Sequence, residues 1–257
     1  MFLLKLQNVC LCKFTKLAYT NKIFWDKKSY LPFFSYICRM ISSTEENYLK
    51  MMLTLSEETG EVSVNQLSRE LNLKMPTVNG MMKRLSEKGL VHFEKYKPIK
   101  LTEKGQKVAT IVLRKHRLTE TFLFEKMNLG WEQVHSIAEQ IEHIQSPLFF
   151  EKMDELLNHP MIDPHGEPIP TTDGRIINMG YLRLSSLNAG QTVVFSGVND
   201  ASEEFLQFLN KRGLRLGMKM KIMGIEPYDG SFTISYTPNK KETLSKVVCD
   251  KILIHKQ

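Results

Sequence analysis

The chain has 257 residues, of which 42% are hydrophobic and 25% are charged, and its formal net charge at pH 7 is +7. This composition is typical of a globular protein, and the length allows two or three domains. Beyond residue 39 the only cysteine is Cys249. That excludes a disulfide framework and fits a reducing, cytoplasmic location.

Residues 1–39 differ from the rest of the chain. They contain seven of the 35 Lys and Arg residues, a single acid and three cysteines. Their apolar runs are too short to cross a bilayer, and no signal-peptide cleavage pattern follows them. We predict an unstructured or mis-annotated extension, with translation starting at Met40; the alternative is a basic, aromatic arm that touches membrane or nucleic acid. The remaining 28 basic and 27 acidic residues nearly balance, so net charge alone does not indicate a nucleic-acid partner.

Residues 40–106 have the pattern of a winged helix-turn-helix. Apolar residues at helical spacing run from Thr44 to Gly60, and Ser63 with Gln66 matches a capping box for a short second helix. After a brief interruption, Pro76 begins a third helix that ends before Gly89. Two short helices joined by a tight turn indicate a DNA-reading unit.

A predicted wing follows the third helix, with strand-like runs at 90–94 and 99–102. Residues 71–104 carry eight basic residues against three acidic ones, which places positive charge where DNA phosphates would lie. A protein-interaction module with a solvated basic face is the alternative. The residues predicted to contact DNA are Lys74, Pro76, Thr77, Asn79, Lys83, Arg84, Lys95 and Lys97.

Six candidate metal ligands lie on two predicted helices. His135, Glu139, Glu142 and His143 fall within about 100° of one helix face. His116 and Glu120 form an i, i+4 pair on the other helix. Nitrogen and oxygen donors without thiolate favour Mn(II) or Fe(II) over a structural zinc. A solvated polar face is the alternative for each residue taken alone.

Residues 146–182 begin with a predicted dimer-face helix and continue into a segment rich in proline and glycine. Asp163 and His165 lie in that segment. We interpret them as turn residues rather than metal ligands, because Asp-Pro and Gly-Glu-Pro are typical of loops.

Several motifs together resemble the diphtheria-toxin-repressor or iron-dependent-repressor family, which includes manganese transport regulators. They are TEENYLK, MPTVNGMMKRLSEKGLV, LTEKG, RKHRLTE, AEQIEH and HPMIDPHGEPIP, and the resemblance covers about residues 44–257. It implies a mainly α fold with small β: a winged helix-turn-helix (40–106), a helical dimerisation and metal-binding domain with a linker (107–182) and an SH3-like small β-barrel (183–257).

The resemblance also implies how the ligands divide. His116, Glu120 and His135 match an ancillary site, whereas Glu139, Glu142 and His143 match the primary site, with Asn47 as a ligand from the first helix. Glu139 is of the manganese type, but Lys50 stands where manganese-type members often carry an acid. In an ungapped alignment, Ser202 and Phe205 occupy the barrel positions that can provide ancillary ligands. That part of the resemblance fails unless a shift of the alignment places Glu203 or Glu204 there.

We therefore expect a homodimeric repressor of metal-uptake genes, activated by Mn(II) or Fe(II) and bound to a palindromic operator in double-stranded DNA. No catalytic residue, small-molecule substrate or membrane partner is expected. Two alternatives are a metal-dependent hydrolase that uses the same cluster and a winged-helix regulator that ignores metal. The HExxH motif of many zinc hydrolases is absent from the sequence.

Overall fold

The structure is a computed structural model that describes residues 41–237 and 240–256. The prediction for residues 1–39 lies outside the described residues. Within the described part of the chain, no helix is long and apolar enough to cross a membrane.

Three helices open the described chain: α1 (Ser43–Thr59), α2 (Val64–Glu70) and α3 (Met75–Glu87). Ser42 and Glu45 form a complete capping box at the start of α1, and Gly60 ends that helix in the left-handed conformation. The Ser63 side chain caps α2, as predicted. Pro76 lies within the first turn of α3, where its missing N–H costs no hydrogen bond.

A two-stranded antiparallel sheet follows α3. It pairs β1 (Val91–His92) with β2 (Lys100–Leu101) and is shorter than the two predicted runs. Residues 93–99 form the connection, in which Pro98 has no N–H to donate to a ladder.

The long helix α4 (Glu103–Met127) packs against α1 and against α5 (Val134–Ile141). Thr102 caps its start, and Asn128 ends it in the left-handed conformation. The helix α6 (Pro147–Leu156) also packs on α4. Because α4 contacts both the first helix and the short helices after it, the helix connects the two regions in which DNA and metal ligands were predicted.

The elements of the C-terminal region are β3 (Leu182–Arg183), β4 (Thr192–Val198), α7 (Glu203–Arg212), β5 (Lys219–Ile225), β6 (Phe232–Thr237), β7 (Lys240–Leu244), α8 (Lys246–Lys251) and β8 (Ile252–Lys256). Its strands form a six-stranded antiparallel sheet with the order β3-β8-β4-β5-β6-β7. Its core includes Phe195, Ile222 and Ile254. The predicted barrel is not closed, since no pairing joins the edge strands β3 and β7 among the described residues.

The loop that contains Asp163 and His165 packs directly on strand β4. Val198 N–H donates to the His165 carbonyl over 2.9 Å. Gly166 has φ +89°, and a β-carbon there would lie 2.1 Å from the Ser196 carbonyl oxygen. Only glycine permits this approach, so the C-terminal sheet fixes the position of the loop.

Candidate metal centre and nucleic-acid surface

Helices α4 and α5 bring His116, Glu120 and His135 together. The Nε2 atom of His116 lies 3.0 Å from Glu120 Oε1 and 3.2 Å from His135 Nδ1, and Glu120 Oε1 is also 3.0 Å from His135 Nδ1. His116 and Glu120 are buried. Three donor atoms within 4.8 Å of one another have the geometry of a metal-binding group, and the three residues are those predicted for the ancillary site.

His116 also contacts the second predicted set of ligands. Its Nδ1 atom is 2.5 Å from Glu142 Oε2, so the two ring nitrogens face different carboxylates. Glu142 is fully buried. The Lys50 ammonium lies 2.8 Å from each oxygen of that carboxylate, so a side chain from α1 reaches the C-terminal end of α5. The prediction of one helix face for all four ligands from His135 to His143 is wrong, because α5 ends at Ile141. Glu142 is its C-cap, and His143 lies in the turn that follows.

His143 makes a second connection to α1. Its Nδ1 atom lies 2.6 Å from Glu46 Oε2, and Gln145 donates to Glu46 Oε1 over 3.0 Å. His143 Nε2 is 3.6 Å from Glu142 Oε1. Glu139, by contrast, is half exposed and 3.6 Å from His135. Among the described residues Glu139, Glu142 and His143 do not converge as one group of three donors.

Asp163 and His165 form another group with Glu120. Asp163 Oδ1 accepts from the backbone N–H of His165 and of Glu167, as the turn interpretation requires. The same three side chains, all buried, have donor atoms within 4.8 Å of one another. Asp163 therefore forms the predicted turn, and this turn also brings Asp163 and His165 close enough to Glu120 for the three side chains to share a metal ion. A short Asp-Pro-His motif was the only signal in the sequence.

Opposite charges set the protonation of these clusters. Burial alone lowers the pKa of His116, but the Glu120 and Glu142 carboxylates raise it to about 9. Burial raises the pKa of Glu120, yet the neighbouring histidines hold it well below its usual value. Burial and the Glu167 and Glu120 charges raise the pKa of Asp163 to about 7. The protonation of each histidine thus depends on the neighbouring carboxylates. A metal that binds these side chains has to compete with protons for them.

The donors fit a divalent metal. Imidazole nitrogens with carboxylate oxygens suit Mn(II) and Fe(II). Asn47 supplies one further observation: its Oδ1 is buried and has no hydrogen-bond partner among the described residues. A buried amide oxygen without a partner is costly, and it is the atom that would act as a ligand.

Ser202 and the acids that follow it do not contribute to either group. Ser202 precedes α7, Phe205 is buried in the core of the C-terminal sheet, and Glu203 bonds to Gln207. Among the described residues, neither Glu203 nor Glu204 joins a group of donors that could bind a metal.

The residues predicted to contact DNA lie mainly on the surface. Lys74, Pro76, Thr77 and Lys83 are exposed at and along α3, whereas Asn79 is half-buried. Lys95 and Lys97 are exposed in the connection between the two short strands.

Arg84 is different, because its Nε lies 2.9 Å from Glu45 Oε1. Glu45 is buried and also pairs with Lys88. Arg84 therefore joins α3 to α1 while more than half of its side chain stays exposed.

Comparison with known proteins decides the family. The chain is 35% identical over 161 residues to the iron-dependent repressor IdeR of Mycobacterium bovis, covering 58% of this chain and 68% of that protein. It is 32% identical over 216 residues to the diphtheria toxin repressor of Corynebacterium diphtheriae, covering 78% and 92%. The chain belongs to the iron-dependent repressor family.

Three family profiles match consecutive parts of this family member. They describe the DNA-binding domain of iron-dependent repressors (residues 40–99), their metal-binding and dimerisation domain (102–171) and the FeoA domain (182–256).

Solved structures agree with that assignment. A manganese-dependent transcriptional repressor in complex with manganese has a TM-score of 0.78 at 26% identity, covering 83% of this chain and all of that one. The manganese regulator SloR has a TM-score of 0.70 at 29% identity, covering 83% and 98%. Membership of a repressor family favours the regulatory interpretation over the hydrolase.

Proposed function

We propose that the protein is a homodimeric, metal-activated transcriptional repressor located in the cytoplasm. When Mn(II) or Fe(II) is plentiful, the dimer binds a palindromic operator and silences metal-uptake genes. In this proposal α2, α3 and the two short strands form a winged helix-turn-helix, and the open C-terminal sheet is an accessory domain of the FeoA type. Lys74, Pro76, Thr77 and Asn79 meet the major groove, while Lys83, Arg84, Lys95 and Lys97 contact phosphates.

One observation carries the proposal: the candidate metal cluster lies where α1 meets α4 and α5. Glu46 of α1 bonds to His143, and Lys50 of the same helix bonds to Glu142. Any change at these ligands therefore acts on the helix that begins the DNA-binding region.

The proposed ligands divide between two groups. His116, Glu120 and His135 hold one ion. We assign Glu139, Glu142, His143 and Asn47 to a second ion, which would have to draw their donor atoms together. Asp163 with His165 offers a further position next to Glu120. A divalent cation supplies two positive charges that neutralise the buried carboxylates, which would otherwise be costly. Mn(II) and Fe(II) both suit these donors.

The activation we propose is a shift in population. The two DNA-binding regions of a dimer sample several spacings, and fixing α1 against α4 and α5 selects the spacing that matches two half-sites. A tenfold preference at each protomer corresponds to about 1.4 kcal/mol, so two protomers shift the ratio of states about a hundredfold.

Anaerobic calorimetric titration of the full chain with Mn(II) and with Fe(II) tests this function. Glu120 belongs to the group with His116 and His135 and also to the group with Asp163 and His165. Glu120→Gln preserves the size of this side chain, and we expect the variant to bind at least one ion fewer per chain than the unchanged protein. Glu203→Gln, on the surface of α7, is the matched control and should bind as the unchanged protein does. Equal binding by Glu120→Gln and the unchanged protein would refute the proposed site.

A further inference from the structure

Lys50 lies inside the candidate metal centre although it is a cation. Its ammonium is 2.8 Å from both oxygens of Glu142, 3.5 Å from His116 Nδ1 and 3.9 Å from Glu139 Oε1. Only 11% of the Lys50 side chain is exposed. The ammonium thus contacts three of the residues proposed to bind metal.

We propose that Lys50 is a built-in competitor for the metal: its ammonium holds the Glu142 carboxylate, and a divalent cation must displace it to bind there. Lys50 then sets the metal concentration at which this site fills. The inference rests on the proposed function, because it takes a divalent cation to be the ligand.

Competition follows from the surroundings of the carboxylate. Oε2 of Glu142 already contacts His116 Nδ1 and Lys50, and Oε1 contacts Lys50. Since Glu142 is fully buried, a second cation cannot approach it from open solvent while the ammonium stays. Two cations within a few ångströms repel strongly in a poorly hydrated site, so the metal and the ammonium exclude each other.

The displaced ammonium has a place to go. Lysine carries its charge on a flexible four-carbon chain that can move toward water while its stem stays packed. Glu139 lies 3.9 Å from Lys50 Nζ and is about half exposed. We infer that Lys50 moves outward along this surface carboxylate.

The exchange has a distinct consequence for metal preference. Removing the ammonium from Glu142 costs the same free energy whichever divalent ion arrives. Lys50 therefore lowers the affinities for Mn(II) and Fe(II) by a similar factor. It raises the metal concentration at which the protein responds without changing which metal binds more tightly.

Metal affinity of Lys50 variants of the full chain tests the proposal. We expect Lys50→Met to bind Mn(II) and Fe(II) about tenfold more tightly than the unchanged protein, measured anaerobically by competition with a fluorescent chelator. Lys50→Arg keeps the positive charge, so its affinity for both metals should remain as low as that of the unchanged protein. Lys88→Met is the matched control, because Lys88 also pairs with a buried carboxylate of α1, Glu45, but lies outside the cluster.

The results separate the two proposals. Unchanged or weaker affinity in Lys50→Met, with normal binding by the unchanged protein, overturns the competition and leaves the metal site standing. A failure of the unchanged protein to bind Mn(II) or Fe(II) refutes the proposed function and the competition with it.

Amine labelling of the unchanged protein gives a second test that needs no variant to fold. Acetylation of Lys50, read by mass spectrometry, should increase when Mn(II) saturates the protein, whereas labelling of Lys88 stays constant. Lys50 labelling that stays constant or falls on saturation contradicts displacement.

Discussion

The Oε2 atom of Glu46 lies 2.6 Å from the Nδ1 atom of His143 and joins the first helix to the turn that follows α5. When His143 donates from Nδ1 to the Glu46 carboxylate, the neutral form of the imidazole keeps Nε2 as its acceptor nitrogen. Carboxylates commonly orient metal-binding histidines in this way. Glu46 was not among the predicted site residues, although it is adjacent to Asn47.

Replacement of Glu46 by glutamine should weaken metal binding. The amide no longer enforces the His143 tautomer, so we expect Glu46→Gln to lower Mn(II) affinity about tenfold, measured by calorimetry. Glu45→Gln is the control, since its partners are Arg84 and Lys88 rather than a candidate ligand. Equal affinities for the two variants would show that Glu46 does not position His143.

The protonated His116 should stabilise the metal-free protein in a defined pH range. Its pKa is raised from 6.5 to about 9 in the fold, so this contribution is fully present below pH 6.5 and is lost as the pH rises through about 9. His165, which also faces Glu120, has its pKa raised to about 9 and acts in the same direction.

The measurement is the difference in Tm between the unchanged protein and Glu120→Gln, both with chelator, from pH 6.5 to 9.5. Because Glu120 raises both histidine pKa values, the difference should shrink as the pH increases. A difference that stays constant or grows would be inconsistent with a charged Glu120–histidine cluster.

Arg84 should contribute to stability as well as to DNA binding. Its ion pair with buried Glu45 connects α3 to α1, so Arg84→Ala should lower the free energy of unfolding by about 1 kcal/mol and also weaken DNA binding. Lys83→Ala, next to it on the exposed surface of α3, should reduce only DNA binding. Chemical denaturation compares the two variants, and equal stabilities would leave the Arg84–Glu45 pair without an energetic role.

Helix α6 presents apolar side chains that a dimer would cover. Leu148, Phe149 and Leu156 lie within about 100° of one helix face, and 62%, 41% and 63% of these side chains are exposed. Leu156→Glu should shift the protein from dimer to monomer at micromolar concentration in analytical ultracentrifugation. The control Val247→Glu replaces another exposed apolar residue, on α8, and should remain dimeric. If Leu156→Glu remains dimeric, the dimer interface does not include this face of α6.

Local patterns predicted what lies within a helix. The i, i+4 spacing of His116 and Glu120 placed both on one face of α4, and Ser63 caps the start of α2 as predicted. The family resemblance was confirmed by the comparisons. Helical geometry is fixed by a few neighbouring residues, so a single sequence is enough to place such elements.

Contacts between distant segments were harder to predict. Glu46 and His143 are 97 residues apart, and Lys50 and Glu142 are 92 apart, so no local periodicity relates them. His165 reaches Glu120 because strand β4 positions its loop, which depends on packing of the C-terminal sheet. The open edge of that sheet likewise depends on pairing between distant strands.

The central claim is that metal controls DNA binding, and an anaerobic affinity measurement with selected DNA tests it most directly. Duplexes would first be selected from a random pool with the full chain and saturating Mn(II), and their affinities then compared with Mn(II) and with chelator. The account predicts a palindromic consensus whose affinity falls about a hundredfold without metal. Equal affinity under both conditions would contradict it.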